Sequence, residues 1–292
     1  MKRILLVLVL IVAVFAGCIG EKKTSAEDIM LATTDAVDDL DTYRYLITMD
    51  QAVKFSNLTG MGIAEGEKVS LSWAGAINLT GKSTMESSTI TLKSLDGNQS
   101  IVEWRETYHL DNMIYQKLGE NWTRLQQPYP EYGVEKTNQA KHLVEMLNRS
   151  EMGVVGSDKV DGVDCYKLKV HPDDDTSYGI MVGQIGSVDF RFLFMINLTE
   201  LYINGSEMDW TVWITEDTYR PVRSQINTKY MATSDMIAVP PGDLGELRLS
   251  FETDEVRKFY DYNEPLEIAP PEEAMNALLI GPLEMEPTAR RI

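Results

Sequence analysis

A chain of 292 residues with 43% hydrophobic content is long enough to bury one large core or two small ones. Its formal charge of −18 argues against nucleic acid as a partner and against direct adhesion to anionic lipid headgroups, because both rely on clustered Lys and Arg. Only two cysteines are present, so a disulfide-held scaffold is excluded and the fold rests on its core.

The first segment, MKRILLVLVLIVAVFAG, sets Lys2 and Arg3 ahead of about a dozen apolar residues, the layout of a secretory signal. It falls short of the roughly 20 apolar residues that a membrane span needs. Ala16-Gly17-Cys18 resembles a lipobox, with Phe15 where that motif usually has Leu. The resemblance implies cleavage before Cys18 and a lipid on its thiol. Residues 1–17 then form a lipoprotein signal peptide, 18–26 a polar tether, 27–274 the folded domain and 275–292 a tail. An uncleaved N-terminal anchor is the alternative. Either way the chain is expected outside the cytoplasm, held on the outer face of the cell membrane.

After the tether, SAEDIMLATTDAVDDLDTYRY has an acidic first turn and apolar residues at Ile29, Ala32, Ala36, Val37 and Leu40, the spacing of one helical stripe. From Tyr43 the period drops to two. Tyr43, Tyr45, Ile47, Met49, Val53 and Phe55 alternate with Arg44, Thr48, Asp50 and Lys54, which predicts a strand with one apolar face. The next strand sets Val69, Leu71, Trp73, Ile77 and Leu79 against Ser70, Ser72, Ala74 and Asn78, and SIVEWRETYHL repeats the pattern with Val102, Trp104, Tyr108 and Leu110. Later strands are expected in VDCYKLKV (Tyr166, Leu168, Val170), EMDWTVWI (Met208, Trp210, Val212, Ile214), RPVRSQI and ELRLSFE (Leu247, Leu249, Phe251). Asp96-Gly97, Asp161-Gly162 and Asn204-Gly205 read as hairpin turns. Together these predict a long antiparallel meander with a single apolar face.

Asn-x-Ser/Thr acceptor sites begin at Asn57, Asn78, Asn98, Asn121, Asn148, Asn197 and Asn204. Such a number suggests an extracytoplasmic glycoprotein, and with the lipobox it points to an archaeal cell surface. Cys165, in VDCYKLKV, is expected to pack as a small apolar side chain. Helices are expected in NQAKHLVEMLNR (Leu143, Met146, Leu147), around SYGIMVGQIGSVDF and in PEEAMNALL. The fold class is therefore α+β: a strongly curved antiparallel sheet, an incomplete β-barrel, with short helices over its concave face.

Taken in order, the N-terminal helix ending in LDTYRY, WRETYHLDNMIYQKLGENWTRL, VDGVDCYKLKVHPDD, WTVWITEDTYRPVRSQI and FYDYNEPLEIAPPEEA resemble the LolA-like lipoprotein carriers and the related mycobacterial lipid-binding lipoproteins, over roughly Ala26 to Ala274. The resemblance implies a hydrophobic cavity under a helical lid, used to hold acyl chains. Members that carry cargo across the periplasm are soluble, whereas this chain has its own anchor signal, so a membrane-tethered role fits better than a shuttle. Tyr45, Met49, Trp73, Trp104, Tyr166 and Trp210 are the expected cavity-lining residues, each on the apolar phase of its strand; the same aromatics also suit a filled core.

No residues stand out as catalytic. His109, His142 and His171 lack metal-ligand spacing, and no nucleophile elbow, phosphate loop or dinucleotide fingerprint occurs. Asp173, Asp174 and Asp175 lack calcium-loop spacing and read as a solvated loop. No cofactor and no metal are implied. Three functions remain open: a surface-anchored binder of a lipid or other hydrophobic molecule, a structural or interaction glycoprotein of the envelope with a filled core and an unidentified protein partner, and the substrate-binding lipoprotein of a transporter. The last class is built from alternating β and α units, which this chain lacks.

Overall fold

The computed structural model describes residues 24–56, 66–94, 100–110, 112–126, 134–188, 196–237 and 248–280. Cys18, Asn57, Asn98 and the Asp96-Gly97 pair lie outside the described residues.

Helix α1 (Ala26–Asp38) begins where the sequence supplies a capping box: the Asp28 backbone N–H donates to Ser25 Oγ at 3.1 Å, and the Ser25 backbone N–H donates back to the Asp28 carboxylate. It buries Ile29, Met30, Thr33 and Val37. Six strands follow: β1 (Thr42–Ser56), β2 (Gly66–Asn78), β3 (Ser83–Ser94), β4 (Ser100–Leu110), β5 (Met113–Leu118) and β6 (Asn121–Gln126). Then come α2 (Gln139–Leu147), β7 (Ser150–Val160), β8 (Val163–Pro172), α3 (Asp174–Val188), α4 (Leu198–Gly205), β9 (Ser206–Thr215), β10 (Pro221–Thr233) and β11 (Arg248–Tyr260). The described chain ends with α5 (Glu272–Met275) and β12 (Leu278–Ile280), so the sheet runs past residue 274.

All twelve strands form one sheet in the order β12-β6-β5-β4-β3-β2-β1-β11-β10-β9-β8-β7. The sheet is curved and unclosed, with short helices, and every pairing is antiparallel except β12 on β6. The expected single meander is in fact two. One runs from β1 to β6, the other from β7 to β11, and they join where β11 pairs with β1. The crossover through α2 sends β7 to the far edge, a long-range choice that no local pattern encodes.

The alternation in β1 holds: Tyr43, Tyr45, Ile47, Met49 and Val53 are buried, and Arg44, Asp50 and Lys54 are exposed. This inner face carries two apolar clusters. The larger lies under α1 and α2 and joins Ile29, Val37, Leu143 and Leu147 to Tyr43, Tyr45, Ile77, Leu168, Trp210 and Phe259. The second lies under α3 and α4 and joins Met181, Ile185 and Leu201 to Val53, Tyr230, Leu249 and Phe251. Cys165 is buried on the other face, against Val160 and Trp213.

Asp161-Gly162 is the hairpin turn expected of it, with φ of 50° and 89° at the two central residues. Asn204-Gly205 is not a hairpin turn but the last turn of α4. Asn197 caps that helix, Asn204 Nδ2 donates to Glu200 Oε1 one turn back, and the helix approaches β10 so closely that a Cβ on Gly205 would stand 2.4 Å from the Met231 carbonyl oxygen. Close helix-to-strand approach, not turn geometry, is what requires the glycine here.

Candidate functional site

Between the inner face of β1 and β2 and the helices α2 and α3 lies a cleft of about 520 Å³. Its floor is apolar: Ile47 and Met49 from β1, Leu71 and Trp73 from β2. Helix α2 presents Gln139, His142, Glu145 and Met146, one stripe at i+3/i+4 spacing that Arg149 continues just past its end, while its other stripe of Ala140, Leu143 and Leu147 is buried in the larger cluster. Helix α3 presents Thr176, Gly179, Ile180, Gly183, Gln184 and Ser187, and buries Met181 and Ile185 behind them.

Both helices are held by specific polar contacts. The Tyr43 hydroxyl donates to Asn138 Oδ1 at 2.8 Å and accepts from the Ala140 backbone N–H at 3.1 Å, which ties the start of α2 to β1. Asn138 Oδ1 also accepts the Lys141 N–H, as an N-cap. Asp173 caps α3 by accepting the Thr176 N–H, and hydrogen bonding from the Thr176 side chain together with that N–H holds its carboxyl below the usual range; Asp174 accepts the Tyr202 hydroxyl. The HPDDDT acidic run is thus partly a helix start.

Gly179 and Gly183 sit one turn apart on the face of α3 that lines the cleft, and a Cβ added at either would meet nothing within 4 Å. Gly75 is the opposite case. It stands directly across from Tyr45, and a Cβ there would fall 2.2 Å from the Tyr45 ring. The inner face is therefore already filled at Gly75 and open beneath Gly179 and Gly183.

A band of polar side chains separates the two apolar clusters. The rows Gln51, Thr253, Thr228 and Met49, Glu255, Ile226 cross β1, β11 and β10 in register. Gln51 Nε2 donates to Thr253 Oγ1 at 2.6 Å. Gln184, reaching down from α3, accepts from Thr228 and Tyr230 and donates to Glu255 Oε2 at 3.1 Å. Arg257 Nε donates to Glu255 Oε1 at 2.6 Å. Burial pushes the Glu255 carboxyl up, but the Arg257 charge and the two hydrogen bonds outweigh it and hold the group below its usual range.

The six residues expected to line a cavity separate. Met49 and Trp73 line the cleft. Tyr45 lies beside it, fully buried, edge-on to Trp73 at 6.2 Å, with its hydroxyl on Glu86 Oε1 at 2.5 Å. Trp210 is fully buried in the larger cluster and donates its Nε1–H to Ser224. Tyr166 stacks on Tyr219 at 6.1 Å, outside the cleft lining. Trp104 is on the outer face and 40% exposed. Register explains this: Trp104 pairs with Thr89, Thr89 with Ser72 and Ser72 with Thr48, all on the polar phase of β1. The apolar phase of β4 thus points away from the cleft.

Gln184, Glu255 and Arg257 were not anticipated. One signal was available: in LSFETDEVRKF, Glu255 and Arg257 occupy the same phase as Leu249, Phe251 and Phe259, so charge sits where an apolar side chain belongs.

Of the sequons, Asn121, Asn148, Asn197 and Asn204 are exposed, at the start of β6, the end of α2 and the two ends of α4. Asn78 is engaged on both sides, donating to the Leu266 carbonyl at 2.9 Å and accepting the Gly81 N–H at 2.6 Å.

Three solved structures are similar to this chain over most of its length. The crystal structure of LprF from Mycobacterium bovis matches with a TM-score of 0.43 and 14% identity, over 84% of this chain and 96% of that one. LppX from Mycobacterium tuberculosis matches with a TM-score of 0.36 and 13% identity, over 84% and 100%. A LolA superfamily protein from Nitrosomonas europaea matches with 0.24 and 10%, over 84% and 95%. No family model and no curated protein matches the chain. The likenesses are of fold only, at low identity, and the architecture rests on the strand order itself.

Proposed function

We propose that this protein is a non-catalytic lipoprotein that holds a hydrophobic molecule in the cleft between β1, β2, α2 and α3, tethered to the outer face of the membrane through Cys18. The observation that carries the reading is the pair Gly179 and Gly183, which keeps open space above an apolar floor of Ile47, Met49, Leu71 and Trp73. A cavity of about 150 Å³ admits one benzene, so about 520 Å³ admits roughly twenty carbon atoms, the bulk of one long acyl chain. Each methylene buried there gains about 0.8 kcal/mol before the costs of association. Helices α2 and α3 serve as the cover, and the tether keeps the cleft near its source of lipid.

The test is saturable binding of a fluorescent fatty acid by the processed chain, residues 18–292 carrying Cys18→Ser, which holds every described element. Gly183→Leu is expected to weaken binding at least about tenfold, a loss of about 1.4 kcal/mol, while the unfolding midpoint stays or rises, because Leu is the better helix former. If no chain length or headgroup binds, the carrier reading fails and the envelope-structural reading replaces it. The anchor is tested separately: Cys18→Ala should leave the precursor unprocessed or release a non-lipidated form with its folded domain intact.

A further inference from the structure

Arg257 is the unexplained residue of the cleft. Its side chain is only 17% exposed, on the inward phase of β11, with Ile47 opposite it on β1 and Ser224 opposite it on β10. An arginine is rarely placed so deep unless its donors are matched. Here one of five is matched: Nε donates to Glu255, and among the described residues the two Nη groups have no acceptor, although the residue lines the cleft. Glu255 has little left to offer, since its second oxygen takes the Gln184 amide.

The other charged or titratable groups lining the cleft are His142 and Glu145 on α2 and Arg149 just past its end, and His142 Nδ1 stands 3.6 Å from Glu145 Oε2. The lining therefore carries two guanidinium groups against two carboxylates, one of which sits with the imidazole. In a chain of net charge −18, this is a place where an incoming anion meets no excess of negative charge. The geometry of a guanidinium with both Nη groups unmatched suits a bidentate oxyanion.

We propose that the cleft selects an amphiphile whose headgroup bears an oxyanion, a carboxylate or a phosphate, and that Arg257 clasps that headgroup while the chain lies along Met49, Leu71 and Trp73. This rests on the carrier reading above and adds the ligand class to it. The Glu255 carboxylate and the Gln184 amide then act as positioning groups: they hold the guanidinium plane and leave its Nη edge toward the ligand.

The experiment compares four probes of equal chain length, a fatty acid, its methyl ester, the fatty alcohol and the alkyl phosphate, on the same processed chain. The expected result is that acid or phosphate binds at least tenfold more tightly than ester and alcohol, with the ranking of those two anions identifying the headgroup. Arg257→Met should erase that preference while alcohol affinity stays within about twofold. Arg257→Lys should restore part of it. Arg149→Met, in the same cleft, should leave the preference in place. Equal binding of all four probes overturns the inference and leaves the carrier reading standing, and so does a preference that follows Arg149. An equal loss of every probe in Arg257→Met, together with a lower unfolding midpoint, assigns the residue a purely structural role and also overturns it. If no probe binds at all, it is the carrier reading that fails.

Discussion

The two ends of the inner face are built from the same strands and do different things. Under α1 and α2, large side chains meet: Trp210, Tyr43, Tyr45 and Leu143 are all fully buried, and Tyr45 lies over the bare backbone of Gly75. Under one face of α3 the strands continue, but the helix presents Gly179 and Gly183, and the space stays open. The difference teaches that the glycine's partner, not the glycine, decides whether the face is core or cleft. Opposite an aromatic ring a glycine closes a gap; on a helix facing an apolar floor it preserves one.

The largest expected effect lies in the filled end. Trp210→Ala should cost about 3 to 5 kcal/mol, because it leaves a cavity and an unpaired Ser224 hydroxyl. Chemical denaturation would read it, and ligand affinity per folded molecule should be unchanged. A loss of affinity at full folding would mean that the two ends are not separate.

The two glycines test the comparison directly. Gly75→Ala should destabilise by about 1 to 3 kcal/mol, since the methyl must displace the Tyr45 ring. Gly183→Ala should instead stabilise by about 0.5 to 1 kcal/mol, because its Cβ meets open space and alanine is the stronger helix former. Equal signs for the pair would break the distinction.

Tyr43→Phe should cost about 1 to 2 kcal/mol, as it leaves the Ala140 N–H without its acceptor and frees the start of α2 from β1. Amide hydrogen exchange should quicken in α2 before it does in α3.

The smallest effect is a pH dependence. Burial raises the Glu86 carboxyl above its usual value, and the hydrogen bond from Tyr45 only partly opposes it. A carboxyl with a raised native pKa binds more protons folded than unfolded, so its contribution is full below the unfolded value near 4.5 and is lost as pH rises through the native value. Glu86→Gln should flatten that decline in stability. An unchanged profile of stability against pH would show that the group is solvated in the native state.

Much of the sheet was legible because a strand with one wet face advertises itself with period two. Tyr43 to Val53 and Met208 to Ile214 were read in the correct phase, and α2 was read from Leu143, Met146 and Leu147. Strand β3 was not, since on its inner phase STMESSTITLKS has only Ile90 and Leu92 as apolar residues, and it is half-buried for most of its length. Met49 and Trp73 were reached at the cleft by phase alone. The structure places Trp104 on the outer face for a physical reason: period two tells which residues share a face, but not which face of the sheet that is.

By itself the sequence determined what depends on neighbours in the chain: helix caps such as Ser25 with Asp28, the alternation of each strand, the Asp161-Gly162 turn and the acidity of the whole. Only the tertiary structure decided what depends on partners far apart in sequence. It joined two meanders at β1 and β11, put Tyr45 over Gly75 but nothing over Gly183, and brought Gln184 onto Glu255 across 71 residues. Local preference fixes a residue's conformation and its face, whereas the presence of a cleft depends on volumes supplied by elements that meet only when the chain has folded.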